Sequence, residues 1–287
     1  MSARYRPIMT DAGLRPTCEV TAVDEFGQVQ EANIAGERPL TLYVDKREVV
    51  TLMTLGCAPE LLAIGYLRNQ HLVDSIEDIL AVQVDWDTDS VAIVTRHGVE
   101  DWDAKLGRRT VTTGCGQGTV FGHVMDKLER TRVPDVHVRQ SAIYALLHAL
   151  SEHNEVYKAA GAVHGCALCG DGQIQLFVED VGRHNAVDAI AGHMWLEGID
   201  GTDKVFYTTG RLTSEMVIKV AQMGVPVLLS RSGITQMGLE LARKVGVTMI
   251  ARAKGSHFLI FNGAERVEFD AQPDPRRSAR AQAAILP

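Results

Sequence analysis

Cys115 stands in Thr-Thr-Gly-Cys-Gly-Gln-Gly, with Gly114, Gly116 and Gly118 around it. The thiolate is the reactive form of cysteine. A loop this rich in glycine lets a thiol meet a macromolecular partner and then swing elsewhere. That suits a covalent carrier better than a protease nucleophile, whose base must be held close. The same residues also fit an ordinary cysteine in a glycine-rich turn. The segment His164-Gly165-Cys166-Ala167-Leu168-Cys169 raises a different chemistry, because C-x-x-C is half of a zinc signal. No second pair follows it. Zinc deaminases need a glutamate where Cys166 stands and a proline before their C-x-x-C. On a strand, Cys166 and Cys169 point to opposite faces. Buried structural thiols are therefore expected, with no permanent metal. His164 either lines a site or is a satisfied core histidine. Cys18 and Cys57 stand alone and read as structural or incidental.

A second group of candidates lies at strand ends. Four junctions read EDVGRHN, TTGRLTSE, SRSGIT and ARAKGSH, each with a glycine and a basic residue. The basic residues are Arg183, Arg211, Arg231, and Arg252 with Lys254. Open α/β sheets bind ligands beyond the carboxyl ends of their strands. Glycine admits close backbone approach, a following helix start offers free N–H donors, and arginine is a two-pronged phosphate donor. Together they predict a basic crevice for a large polyanion with more than one phosphate. The bland alternative pairs each arginine with a nearby carboxylate such as Glu179, Asp180 or Glu215. Neither G-x-x-x-x-G-K-[ST] nor G-x-G-x-x-G occurs, so P-loop and ordinary dinucleotide readings lack their signature.

These residues need elements to hold them. Residues 1–38, with Pro7, Pro16 and scattered charge, read as an irregular arm. Residues 39–137 read as a mixed α+β block, mostly antiparallel. LTLYVDKREVVTLMT is a hairpin about Asp45-Lys46, a helix starts near Pro59, two strands flank Asp87-Thr88-Asp89, and RRTVTT leads into the Cys115 loop. Residues 138–270 open with Ile143, Leu146, Leu147 and Leu150 at helical spacing. Short apolar strands then alternate with helical segments, which predicts a largely parallel sheet with helices on both faces. Residues 271–287 read as a frayed tail.

The 287 residues carry a net charge of −7 and an ordinary apolar fraction of 46%. This excludes a disordered chain and argues against a general nucleic-acid binder. Five cysteines do not resemble a secreted disulfide framework, so a reducing, cytoplasmic home is expected. No stretch approaches the roughly 20 apolar residues of a membrane helix, and no apolar leader opens the chain, so no membrane association is expected.

Taken together, PLTLYVDKREVVTLMT, TGCG, EDVGRHNAVD, TGRLTSEMV…GVPVLLSRSG and TMIARAKG resemble the FdhD family of formate dehydrogenase accessory sulfurtransferases, over about Leu40 to Gly263. The resemblance implies a cytidine-deaminase-like α/β fold, with a mixed or parallel sheet, helices on both faces and a smaller, mainly β N-terminal block. It also implies a task. Sulfur would be taken from a cysteine desulfurase as a persulfide and passed to the bis-molybdopterin guanine dinucleotide cofactor, the client or substrate, for the formate dehydrogenase catalytic subunit. Cys115 matches the family's persulfide cysteine. Arg252, Ala253, Lys254, Gly255, Ser256 and His257 match its cofactor contact, and Arg183 and Arg211 are expected to hold phosphates. A homodimer is expected by the same analogy. Gly118 replaces the family's second loop cysteine, so no disulfide can form within that loop. Asn69-Gln70-His71 stands where many members have S-E-G. Two alternatives remain: a cofactor-binding chaperone without sulfur chemistry, and a zinc-dependent nucleoside hydrolase using His164, Cys166 and Cys169.

Overall fold

The structure is a computed structural model that describes residues 4–99, 102, 109–111, 118–120 and 131–273, with backbone alone for 109–111 and 118–120. The expected Cys115 loop and most of the expected tail lie outside the described residues.

The N-terminal sheet has five strands, β1 (Ile8–Met9), β4 (Arg38–Val44), β5 (Arg47–Thr54), β6 (Ile79–Asp85) and β7 (Ser90–Thr95), in the order β1-β6-β7-β4-β5. Asp45 and Lys46 have φ of +48° and +70°. These left-handed conformations make the tight turn that joins β4 to β5 as an antiparallel hairpin. Leu40, Leu42 and Val44 alternate inward on β4 and pack with Leu52, Ile79 and Val91 under helix α1 (Pro59–Asn69). Pro59 opens that helix, where a missing N–H costs nothing. The block is more mixed than its sequence predicts, because β1 with β6 and β4 with β7 are parallel pairs.

The expected irregular arm is corrected more fully. Residues 17–35 form a regular hairpin of β2 (Thr17–Val23) and β3 (Val29–Ala35), paired only with each other. Nearly every side chain on it is exposed or half-buried, so no burial pattern marked it.

The C-terminal sheet has six strands, β11 (His164–Gly170), β12 (Gln173–Asp180), β13 (Val205–Thr208), β14 (Val227–Ser230), β15 (Thr248–Lys254) and β16 (His257–Asn262). Between the two sheets the chain has the backbone pair β8 (Arg109–Val111) and β9 (Gly118–Val120), and β10 (Val138–Arg139), which pairs with β17 (Val267–Glu268). The order of the large sheet is β12-β11-β13-β14-β15-β16. Only β13, β14 and β15 are mutually parallel. The others join by antiparallel pairing, so the sheet is mixed rather than largely parallel. Three helices, α4 (Arg183–Glu197), α5 (Ser214–Gln222) and α6 (Gln236–Val245), share one core with Leu168, Phe206, Leu228 and Met249. Helix α2 (Gln140–Glu152) covers the other face through Ile143, Leu146, Leu147 and Leu150, as its spacing predicts. A short helix, α3 (Glu155–Ala160), follows it. No helix among the described residues is long and apolar enough to cross a membrane.

The two blocks lock through α1 and α4. A Cβ added to Gly65 would lie 1.7 Å from the Asp188 carbonyl oxygen, and one added to Gly192 would lie 2.0 Å from that of Leu61. Only glycine allows the two backbones this close. Beside the crossing, Asn69 Nδ2 donates to Asp188 Oδ1 at 2.7 Å, and Lys219 Nζ donates to both Asp188 oxygens at 2.8 and 2.7 Å. All three side chains are buried.

Candidate functional site

The parallel strands β13, β14 and β15 all end at one edge, and a cleft of about 590 Å³ opens there. That volume suits a small-molecule or nucleotide-sized ligand. Thr209, Arg231, Ser232 and the run Ala253, Lys254, Gly255 form the strand-end wall. Tyr157 and Lys158 of α3 face them, with the last turns of α2 between.

The strand-end wall has a built irregularity. Arg252 has φ +51°, and the β15–β16 register slips between Ala251 and Lys254. Its N–H donates to the Ser232 carbonyl at 2.9 Å, tying the bulge to the loop after β14. A non-glycine residue held in the left-handed region is uncommon and is retained only when its surroundings fix it. The bulge brings Lys254 and Gly255 to the cleft, while Arg252 and Ser256 are exposed and His257 is half-buried opposite Lys254.

The cations at this edge are not neutralised by the carboxylates the sequence offered them. No carboxylate among the described residues lies within ion-pair distance of Arg211, Arg231, Arg252 or Lys254. Glu179 instead accepts the Val156 and Tyr157 N–H groups at 2.9 Å, capping α3. Asp180 accepts from Thr54 Oγ1, Leu55 N, Gly182 N and Asn185 Nδ2, which fastens the N-terminal block to β12 and α4. Glu215 lies 3.3 Å from His184, and both are buried. The Arg231 guanidinium lies 5.1 Å from the centre of the Tyr157 ring, within cation–π range at the cleft.

His164 Nδ1 lies 3.2 Å from Thr209 Oγ1, on the cleft wall. Burial holds its pKa below the usual imidazole value, and Arg183, Arg231 and Arg211 push it further the same way. Three of the four predicted arginines thus act on one point. They do not all face the cleft. Arg183 is buried, its aliphatic stem packed on Gly210, where an added Cβ would lie 2.5 Å from Cδ.

Cys166 and Cys169 occupy different cores on opposite faces of the sheet. They cannot converge on one ion, which removes the geometry a His164–Cys166–Cys169 zinc site requires. Cys166 Sγ lies 3.3 Å from Thr208 Oγ1, and burial pushes both thiols up to about 12. At pH 8 their thiolate fraction is about one in ten thousand. Brief alkylation of the native protein at that pH is expected to leave both unmodified, and modification after unfolding to be complete. Peptide mapping by mass spectrometry checks this, and labelling of either in the native state would contradict their burial.

Of the sequence candidates, Ala253, Lys254, Gly255 and Arg231 meet at the cleft, and Arg211 lies exposed on the same edge. Sequence reasoning missed Tyr157 and Lys158, which come from a six-residue helix without apolar periodicity. Thr209 directly follows β13 and Ser232 stands two residues past β14, so the same positional rule could have found them.

Comparison with known proteins places this geometry in context. The pattern of the FdhD/NarQ family matches residues 35–268. The sulfur carrier protein FdhD of Listeria monocytogenes is 30% identical over 252 residues, covering 85% of this chain and 95% of that protein. The sulfur carrier protein FdhD of Bacillus subtilis is 29% identical over 261 residues, covering 87% and 98%. A crystal structure of a candidate formate dehydrogenase accessory protein from Desulfotalea psychrophila superposes with a TM-score of 0.69 at 25% identity, covering 88% of this chain and 98% of that one.

Proposed function

The chain belongs to the FdhD/NarQ family, and on that premise we propose that it is a cytoplasmic sulfur carrier and sulfurtransferase for formate dehydrogenase maturation. Cys115 is the carrier. Its thiolate attacks the outer sulfur of a persulfide on a cysteine desulfurase. The donor's S–S bond breaks, the donor keeps a thiolate, and Cys115 holds the outer sulfur as its own persulfide. That sulfur goes to bis-molybdopterin guanine dinucleotide, which is a substrate here and not a resident cofactor. The S–S bond on Cys115 breaks with two electrons from a thiol reductant, the sulfur leaves at the sulfide level, and Cys115 returns to its thiol. The formate dehydrogenase catalytic subunit is the client, and the carrier works as a homodimer.

The observation that carries the ligand half of this reading is the strand-end cleft with cations that no carboxylate among the described residues neutralises. Lys254 and Arg231 line it, and Arg211 stands on the same edge. A guanine dinucleotide arm is an anion of suitable size, and arginine suits its phosphates. Arg183 supports the strand ends from beneath, and Arg252 shapes the bulge.

Mass spectrometry after incubation with a desulfurase and cysteine tests the carrier. The wild type is expected to gain one sulfur atom on Cys115, and Cys115→Ala to gain none. Uptake by Cys115→Ala at the wild-type rate would remove this residue from the mechanism. Gly118 in place of a second loop cysteine favours one other reading, a cofactor-binding chaperone without sulfur transfer. In cells lacking the endogenous protein, a chaperone keeps formate dehydrogenase activity when Cys115 becomes Ser, and a sulfur carrier loses it.

A further inference from the structure

The β2–β3 hairpin projects from the fold with neither outer edge paired to a further strand among the described residues. An isolated two-stranded ribbon is marginal in water, and this one carries three large apolar side chains at its far end. Val23, Phe26 and Val29 are 65%, 79% and 69% exposed. The tip that presents them is a hydrogen-bonded turn. Asp24 accepts hydrogen bonds from Phe26 N, Gln28 N and Gln30 Nε2, and Gly27 N donates to the Asp24 carbonyl. A preformed turn holding an aromatic in solvent is the arrangement of an interface anchor, because little freedom is lost when it docks.

Charge identifies what it docks to. Between Thr17 and Glu37 the chain has Glu19, Asp24, Glu25, Glu31 and Glu37, and no Lys, Arg or His. The hairpin rests on α3, the helix whose Tyr157 and Lys158 line the cleft. An acidic arm beside a basic cleft repels a polyanionic ligand, so it is not part of the ligand's own site. It complements a positive protein surface. The protein that takes delivery of a polyanionic cofactor must itself surround its cofactor entrance with positive charge.

We propose that the β2–β3 hairpin is a docking arm for the cofactor-free client enzyme, with Phe26 seated in an apolar socket and the hairpin carboxylates on the basic rim of the client's cofactor entrance. The proposal rests on the reading that the cleft delivers a pterin dinucleotide. It adds the surface that brings cleft and client mouth together.

Binding of the full-length protein to cofactor-free formate dehydrogenase tests it, by biolayer interferometry at two salt concentrations. Phe26→Ser is expected to weaken binding about tenfold or more. Glu25→Lys with Glu31→Lys is expected to slow association and flatten the salt dependence. Both changes are at exposed positions, and unaltered thermal melting confirms the fold. Sulfur uptake by Cys115 from the desulfurase is measured on the same variants and is expected to be unchanged. Equal client affinity for wild type and both variants, or no binding by the wild type, overturns the docking arm. So does a defect confined to the desulfurase, which would make the sulfur donor the partner. Loss of sulfur uptake in the wild type would instead indict the carrier reading, so the two failures are separable.

Discussion

Asp188→Ala is expected to lower the unfolding free energy by about 3–5 kcal/mol, the range for breaking a buried ion pair by removing one partner. Asp188 is fully buried and joins three helices, with Asn69 on α1 and Lys219 on α5 as its partners. Burial raises the Asp188 pKa, while Lys219 and Asn69 hold the carboxylate down. Removing the carboxylate strands an ammonium in an apolar setting, and it strands the Asn69 amide as well. The helix crossing cannot adjust around the loss, because Gly65 and Gly192 already bring the backbones to their closest approach. The pair itself need not be net stabilising. Asp188→Leu with Lys219→Met should recover much of the lost stability, since a well-packed apolar pair avoids desolvation. Urea denaturation of the two variants measures both effects. A loss under about 1 kcal/mol for Asp188→Ala would mean that solvent reaches Lys219.

These residues also show what the sequence made legible. Asp45-Lys46, Pro59 and the Ile143–Leu150 stripe each leave a local signature, and each lies where it was expected. Helix α4 is legible as a helix, yet its partner is not, because it is buried on nearly every side, charged residues included, and nothing in its spacing names α1. The mixed pairing of the large sheet was hidden for a related reason. Strands covered on both faces are short apolar runs whether their neighbours are parallel or antiparallel. The hairpin at 17–35 failed the opposite way, since strands with two wet faces show no alternation to detect. At the cleft, position at a strand end points to Arg231 and Lys254, and both line it. It could not separate Arg183, which follows the same rule and is buried. Asp180 and Asn185 lie in the same EDVGRHN run, and their hydrogen bonds serve the junction between the blocks rather than the cleft.

Arg231→Glu is expected to weaken binding of guanosine diphosphate, the probe for a dinucleotide arm, by roughly a hundredfold. Arg231 lines the cleft wall, carries no ion-pair partner among the described residues and lies 5.1 Å from the centre of the Tyr157 ring. A charge-assisted hydrogen bond to phosphate contributes about 1.5–3 kcal/mol. The variant loses that bond and adds repulsion between like charges, which solvent reduces but does not abolish near a surface. Arg231→Lys separates charge from shape. It keeps the cation and loses the two-pronged guanidinium, so a loss of about tenfold or less is expected. Titration calorimetry at two salt concentrations reads both variants, and the affinity should fall more steeply with salt for the wild type than for Arg231→Glu. Unchanged affinity in Arg231→Glu would place the nucleotide elsewhere, and the strand-end cleft would lose its role in the delivery of the cofactor.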